Sequence, residues 1–169
     1  DGDDTFRDDS GDDHMYGDAG DDRFFAGAGG DHYFGGADID TVNFVESGEG
    51  VALNLKLGIG WQGDAASDTY SGIERIKGSE YADWIVGSDD FDRLYGNDGA
   101  DSIAGGSGED YLDGGAGNDQ VYGEAHRDVL HGDAGDDSLY GGAGDDRFHL
   151  DEGADLIDGG EGVDNLYLS

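Results

Sequence analysis

The chain contains no cysteine, so neither disulfide bonds nor thiolate metal sites can hold its fold. A bound metal that cross-links the fold must therefore be held by oxygen ligands, which hard cations prefer. Hydrophobic residues are also few, at 35% of the 169 residues, while glycine alone supplies 35. A large conventional core is therefore not expected.

Basic residues are scarce, with 8 Lys and Arg against 42 Asp and Glu and a formal net charge of −34. They are scattered singly, whereas nucleic acids and anionic membranes are bound by clusters of basic side chains. We therefore expect no nucleic-acid partner. Self-repulsion of this size opposes a compact state unless counter-cations bind, so a divalent cation is the expected partner.

Long hydrophobic runs are missing as well. The longest apolar stretch, Val51 to Trp61, is interrupted by polar residues and glycines, so we expect no membrane insertion by this chain. The first residues, Asp1 to Asp4, do not resemble a signal peptide, and the chain begins inside a repeat. We expect it to be a fragment of a longer protein.

What the sequence does contain is a nine-residue repeat with aspartate at the sixth position and an apolar residue at the eighth. The eighth position is apolar or aromatic in every repeat, for example Phe24, Leu112 and Phe148. The sixth position is aspartate without exception, at Asp4, Asp13, Asp22, Asp31, Asp40, Asp83, Asp92, Asp101, Asp110, Asp119, Asp128, Asp137, Asp146, Asp155 and Asp164.

The fourth position is mostly glycine, because a tight turn there needs backbone angles that a Cβ disfavours. The exceptions are Asp38, Tyr81, Asp90 and His126. Aspartate tolerates such angles, whereas Tyr81 and His126 are expected to strain or distort their turns. We expect incomplete cation occupancy at these four turns.

The repeat length predicts an all-β fold. Six residues of turn and three of strand make half a coil, so two repeats complete one coil and advance the chain by about 4.8 Å, the strand spacing of a sheet. Sixth-position carboxylates of repeats two apart then face one another and repel unless a cation lies between them. Calcium suits such a gap because it accepts six to eight oxygens at about 2.3 to 2.6 Å.

Two segments, Gly114 to Tyr122 and Gly141 to His149, resemble the RTX calcium-binding nonapeptide. The resemblance implies a parallel β-roll, a β-helix-like solenoid with calcium in its Gly/Asp turns. Each ion would take aspartates from two stacked turns, and roughly eleven Ca²⁺ ions are expected. Backbone carbonyl ligands are implied at Gly99, Gly106, Gly108, Gly115, Gly117, Gly135, Gly142 and Gly144.

The repeats form two blocks, residues 1–43 and 78–169, separated by residues 44–77. The intervening segment could be a flexible linker, but the alternating apolar residues of Val51 to Leu55 favour strands that continue the roll. A Gly-Ile-Glu sequence precedes repeat blocks in RTX chains, where its Glu binds calcium. The resemblance therefore implies that Glu74 is also a ligand.

The resemblance further implies a secreted, extracellular bacterial protein that leaves the cell by type I secretion and folds when it meets calcium. The parent could be a toxin, protease, lipase or adhesin, and this chain itself is expected to be non-enzymatic, because no catalytic signature occurs in it. A metal-independent structural spacer is a further alternative.

Aromatic and histidine side chains that are expected to point outward allow other functional interpretations. Tyr122 and Tyr140 are one coil apart and could bind carbohydrate, as in the RTX modules of alginate epimerases, although cross-strand packing is the favoured interpretation. The histidine pairs His14/His32 and His131/His149 have the same spacing. They could bind zinc or sense pH, but exposed stacking is favoured because no third ligand is evident.

Overall fold

The computed structural model describes residues 2–168, which form two β-sheets, one 3₁₀ turn at Gly63–Ala65 and no α-helix. The first sheet has nine strands, in the spatial order β1 (Thr5–Arg7), β3 (Arg23–Phe25), β5 (Thr41–Asn43), β9 (Arg75–Lys77), β11 (Arg93–Asp98), β13 (Tyr111–Ala116), β15 (Val129–Ala134), β17 (Arg147–Leu150) and β19 (Asn165–Leu168).

The second sheet has ten strands, in the order β18 (Leu156–Glu161), β16 (Ser138–Ala143), β14 (Gln120–Ala125), β12 (Ser102–Ser107), β10 (Trp84–Val86), β6 (Ala52–Asn54), β7 (Ile59–Gln62), β8 (Thr69–Ser71), β4 (His32–Ala37) and β2 (His14–Ala19). Within the repeats, consecutive strands alternate between the sheets, so the chain winds as a solenoid. The predicted all-β roll is confirmed.

Strands two repeats apart pair in parallel, which also confirms the predicted stacking. Leu94 of β11 is opposite Leu112 of β13, and Ile103 of β12 is opposite Val121 of β14. Identical repeat positions therefore lie above one another within each block of repeats. This register is what turns a sequence period into columns of like side chains.

Eighth-position side chains fill the space between the sheets. Leu94, Leu112 and Leu130 are completely buried, as are Phe24 and Tyr33. Each such burial contributes roughly 1.5 to 3 kcal/mol. At the end of the nine-stranded sheet the eighth-position Leu166 is 52% exposed, because it lies on the last strand and no further coil covers it.

The segment at residues 44–77 contributes strands to both sheets. β9 lies between β5 and β11 in the nine-stranded sheet, and β6, β7 and β8 lie between β10 and β4 in the ten-stranded sheet. β7 is antiparallel to both of its neighbours, so the parallel pattern is interrupted here. The strands β7 and β8 were not predicted individually, because their spacing does not follow the repeat.

Outward rings stack along the strands. The ring centroids of His14 and His32 are 4.2 Å apart, and those of His131 and His149 are 4.4 Å apart. Among residues 2–168, neither pair has a third His, Cys, Asp or Glu close enough to share a metal. Their geometry is that of stacked rings on outward faces, with His14 exposed and His32, His131 and His149 half-buried.

Nothing in the part of the chain that the structure describes is a helix of the length and apolarity needed to cross a membrane.

Candidate metal-binding turns

The sixth-position carboxylates form two columns, one on each edge of the roll. The first column precedes the strands of the nine-stranded sheet and contains Asp4, Asp22, Asp40, Glu74, Asp92, Asp110, Asp128, Asp146 and Asp164. The second column precedes strands of the ten-stranded sheet and contains Asp13, Asp31, Asp68, Asp83, Asp101, Asp119, Asp137 and Asp155. The structure thus brings together all the side chains predicted as ligands.

One oxygen of most of these carboxylates accepts a backbone hydrogen bond that joins successive coils. Asp119 accepts a hydrogen bond from the backbone N–H of Asp101 at 2.8 Å, and Asp137 accepts one from Asp119 at 2.9 Å. The same bond recurs between most neighbours in both columns, but not at Glu74 and Asp68, whose N–H groups donate to the carbonyl oxygens of Asp40 and Ala65. Where it forms, the bond fixes the carboxylate in the turn and leaves its second oxygen available to another partner.

The second oxygen is buried and has no hydrogen-bond partner in most of the regular turns. Unpartnered buried oxygens are rare because the desolvation of a carboxylate is costly, several kcal/mol per ion even after relaxation. The unpartnered atoms are the Oδ2 of Asp22, Asp31, Asp40, Asp101, Asp110, Asp119, Asp128, Asp137 and Asp146, and the Oδ1 of Asp92.

Burial changes the acidity of these groups. It raises the pKa of Asp101, Asp110 and Asp128 to about 7, from an ordinary value of 3.8. Burial likewise raises the pKa of Asp119 to about 6. In each case the backbone hydrogen bond to the carboxylate opposes the shift without cancelling it. Without a bound cation, these turns hold a proton more tightly than free aspartate does.

Glycine at the first position makes room for the free oxygen. A Cβ at Gly114 would lie 2.5 Å from Asp119 Oδ2, and a Cβ at Gly105 would lie 2.5 Å from Asp110 Oδ2. Backbone carbonyls converge on the same place. The same Cβ position at Gly141 would lie 2.6 Å from the carbonyl oxygen of Gly159, one coil further on.

The eight glycines predicted as carbonyl ligands occupy the second and fourth positions of their turns, and all have positive φ. Gly117, for example, has φ 150°, and a Cβ there would overlap the carbonyl oxygen of Gly99. The left-handed second position was missed in the sequence because other residues occupy it in several repeats: Asp18, Asn97, Glu124 and Asp133.

The irregular fourth positions differ from one another. Asp38 and His126 adopt the left-handed conformation, with φ 80° and 81°. Tyr81 and Asp90 do not have positive φ, so of the two outcomes expected at Tyr81, strain or distortion, the turn shows distortion. Its turn has a different shape, which avoids the conformation that a bulky side chain disfavours.

Serine side chains explain these two turns. Ser79 donates its Oγ–H to Asp83 Oδ1 and its N–H to Asp83 Oδ2, both at 2.7 Å, so both carboxylate oxygens are bonded. Ser88 donates its N–H and Oγ–H to Asp92 Oδ2 at 2.6 and 2.9 Å. Asp83 therefore has protein donors for both carboxylate oxygens, whereas the equivalent aspartates of the regular turns have one oxygen without a partner.

The intervening segment supplies two members of the columns. Glu74 Oε2 accepts the N–H of Asp40 at 3.1 Å, which is the bond that an aspartate makes elsewhere in the column. Asp68 Oδ1 accepts the N–H of Asp31 at 2.8 Å, although Asp68 was not predicted. The sequence feature that could have revealed Asp68 is its place two residues before the buried Tyr70, as in the repeats. It was missed because Asp68 is 37 residues from Asp31, and not the 18 residues that separate stacked repeats.

The second column is interrupted after Asp68. Val51 lies beside Asp83, at the place that a sixth-position aspartate has in the regular coils, and its N–H donates to Asp83 Oδ1 at 2.7 Å. Its side chain has no carboxylate that could bind a cation. In the first column Glu74 supplies a carboxylate at the corresponding place, although its N–H donates to the carbonyl oxygen of Asp40 and not to Asp92.

The donor set fits calcium better than other common metals. It combines carboxylate oxygens with clustered backbone carbonyls, which hard cations of flexible coordination accept. Cysteine is absent from the chain and histidine is absent from both columns, so the ligands that zinc prefers are missing from these turns. Which atoms bind each ion stays a prediction.

The family model of the RTX calcium-binding nonapeptide repeat, in four copies, matches the chain at residues 1–33, 9–42, 68–103, 77–112, 86–121, 104–139, 122–157 and 140–168. The chain belongs to this family. Its repeats indicate Ca²⁺ as the cation, and the resemblance seen in the sequence is confirmed. Residues 43–67, which carry the interruption of the second column, lie between the matched ranges. No curated protein matches the chain.

Proposed function

We propose that this chain is a non-catalytic folding module whose β-roll forms when calcium neutralises the two carboxylate columns. The observation that carries this proposal is the row of buried carboxylate oxygens without a hydrogen-bond partner, such as Oδ2 of Asp101, Asp110 and Asp119. A buried carboxylate without a counter-charge destabilises a fold by several kcal/mol.

Binding and folding are then the same event. A turn offers its oxygens in one place only when two coils are stacked, so calcium binds the folded chain far better than the extended one. Without calcium, the net charge of −34 favours the extended state. With calcium, each ion removes repulsion and fixes two coils at once.

We further propose that the module acts outside the cell, as part of a type I secreted protein. RTX repeats are typical of secreted proteins, which supports this location. Weak sites filled only at about 10⁻⁴ to 10⁻³ M calcium are a feature of extracellular modules. Such sites keep the chain unfolded at the low calcium concentration of the cytosol and fold it after export.

Carbohydrate binding is a second candidate with less support. Tyr122 and Tyr140, the side chains proposed for sugar stacking, pack face to face with ring centroids 4.9 Å apart. Each ring therefore covers one face of the other. A glycan array probed with the calcium-loaded chain tests this candidate directly.

Far-UV circular dichroism combined with calorimetric titration tests the main proposal. The chain starts in EDTA, and calcium is added in one series and magnesium in a matched control. We expect a cooperative coil-to-β transition that takes up on the order of ten calcium ions and does not occur with magnesium. Full β structure in EDTA, or uptake of one or two ions only, contradicts the proposal.

A further inference from the structure

One turn near the beginning of the described chain departs from the repeat at its first position. Asp8 lies five residues before Asp13, where most other repeats have glycine, for example Gly114 before Asp119. In that glycine turn, a Cβ would lie 2.5 Å from the free carboxylate oxygen. Asp8 therefore places a third carboxylate where the regular turns keep space empty.

The three carboxylates in this turn lie close together. Ligand oxygens of Asp8, Asp13 and Asp31 are all within 4.8 Å of one another, and no other group of three His, Cys, Asp or Glu among residues 2–168 does this. Asp31 is completely buried, and its Oδ2 has no hydrogen-bond partner. A buried, partnerless oxygen beside two more carboxylates requires a positive partner.

Neighbouring groups hold the cluster in place. The hydroxyl of Tyr33, a completely buried core residue, donates to Asp8 Oδ2 at 3.4 Å and directs this half-buried side chain inward. The N–H of Asp13 donates to Asp31 Oδ1 at 2.9 Å, as in the regular turns.

We propose that Asp8, Asp13 and Asp31 form a three-carboxylate cation site that binds calcium more tightly than the two-carboxylate turns and favours trivalent ions. This inference rests on the proposed function, since it assumes that the turns bind cations. Affinity in calcium sites rises with the number of charged ligands, and the attraction grows with the product of the charges. The site fills first and orders this end of the roll.

A pair of isosteric variants tests the site in the full chain. Asp8→Asn removes one charge from the cluster, and Asp12→Asn removes one charge from the same turn outside it. Asp12 Oδ1 accepts the N–H of Gly30 at 3.0 Å, a bond that an asparagine keeps, as Asn118 does with the N–H of Asp136. The two variants therefore differ in which charge is lost.

The probe is Tb³⁺ luminescence, followed by displacement with calcium. We expect Asp8→Asn to weaken the tightest class of Tb³⁺ sites by about ten-fold or more, and Asp12→Asn to change it by less than about two-fold. Equal effects of the two variants overturn the three-carboxylate site. If calcium does not fold the parent chain at all, the proposed function fails first, and circular dichroism shows this separately.

A second variant keeps the test decisive if Asp8→Asn does not fold. Asp8→Gly restores the residue that most other repeats have at this position, so the turn becomes a regular two-carboxylate turn. We expect the calcium-induced β transition to survive while the tightest Tb³⁺ class disappears. Retention of that class in Asp8→Gly contradicts the proposal.

Discussion

Two turns of the second column, at Asp119 and Asp83, have an aspartate at the same repeat position but differ in the hydrogen bonds that its carboxylate accepts. At Asp119, one oxygen accepts a backbone N–H from Asp101 and the other is buried without a partner. At Asp83, Ser79 and Val51 supply donors for both oxygens. A sixth-position aspartate therefore does not by itself define a cation site. The donors supplied by the second position and by the neighbouring coil decide whether the carboxylate needs one.

Acid pH is the broadest way to test the glycine turns, and we expect it to have the largest effect. The pKa of Asp101, Asp110 and Asp128 is about 7 in the folded chain without metal, against 3.8 ordinarily. Protonation thus stabilises the metal-free roll fully below about pH 4, and this stabilisation is lost as the pH rises through about 7.

Protons and calcium compete for the same oxygens. Between pH 7.5 and 5.5 the carboxylates stay ionised in the extended chain, so protons bind mainly to the folded roll. In EDTA, lowering the pH over this range is therefore expected to increase the β content, and calcium binding to the acid-stabilised roll is expected to release protons. Circular dichroism in EDTA measures the first effect, and calorimetry in buffers of different ionisation enthalpy measures the second. A β content that does not rise on acidification contradicts the raised pKa of these carboxylates, and calcium binding without proton release contradicts cation binding at them.

Charge removal at single turns sharpens the comparison. Asp119→Asn is expected to remove about one ion and to raise the calcium midpoint about three- to ten-fold, since an amide cannot replace the free anionic oxygen. Asp83→Asn is the matched control, and we expect its ion uptake to equal that of the parent chain. Calorimetry counts the ions. Equal losses in the two variants argue against the distinction between the turns.

Filling the space beside the carboxylate is the next test. In Gly114→Ala, the new methyl group lies 2.5 Å from Asp119 Oδ2, so the turn must open. We expect a loss of about 1 to 3 kcal/mol in the stability of the calcium-loaded roll. Gly48→Ala is the control, because a Cβ there has nothing within 4 Å. Thermal unfolding in saturating calcium compares the two, and a stable Gly114→Ala roll speaks against the crowded turn.

The smallest effect is expected from the serine turn. Ser79→Ala removes the hydroxyl that donates to Asp83 Oδ1 at 2.7 Å and keeps the backbone donor. We expect a loss of about 1 kcal/mol without any change in the number of bound ions. Urea unfolding in saturating calcium measures the first quantity and calorimetry the second. A loss of calcium from Ser79→Ala indicates that the turn binds an ion after all.

The nine-residue repeat by itself determines much of this structure. A nine-residue period with aspartate at the sixth position predicts the roll, the register of Leu94 on Leu112 and the stacking of Asp101 on Asp119. These features depend only on spacing. Each coil repeats the last, so local geometry propagates along the chain.

The features that the sequence did not predict depend on contacts between side chains in turns that depart from the regular repeat. Asp68 joins the second column through a loop whose length hides its register, and Ser79 replaces the need for an ion by folding back on Asp83. Asp8 lies at the first position of its turn, where most repeats have glycine, and its carboxylate is close to those of Asp13 and Asp31. In each case the decisive contact joins side chains whose meeting depends on the turn shape, which spacing alone does not specify.

A crystal structure of the chain grown in calcium tests the central claim most directly. The account predicts calcium within about 2.3 to 2.6 Å of Asp119 Oδ2, with backbone carbonyls completing its coordination, and no ion bonded to the side chain of Asp83. A roll without calcium beside Asp119, or with ions bound equally at Asp83 and Asp119, would contradict it.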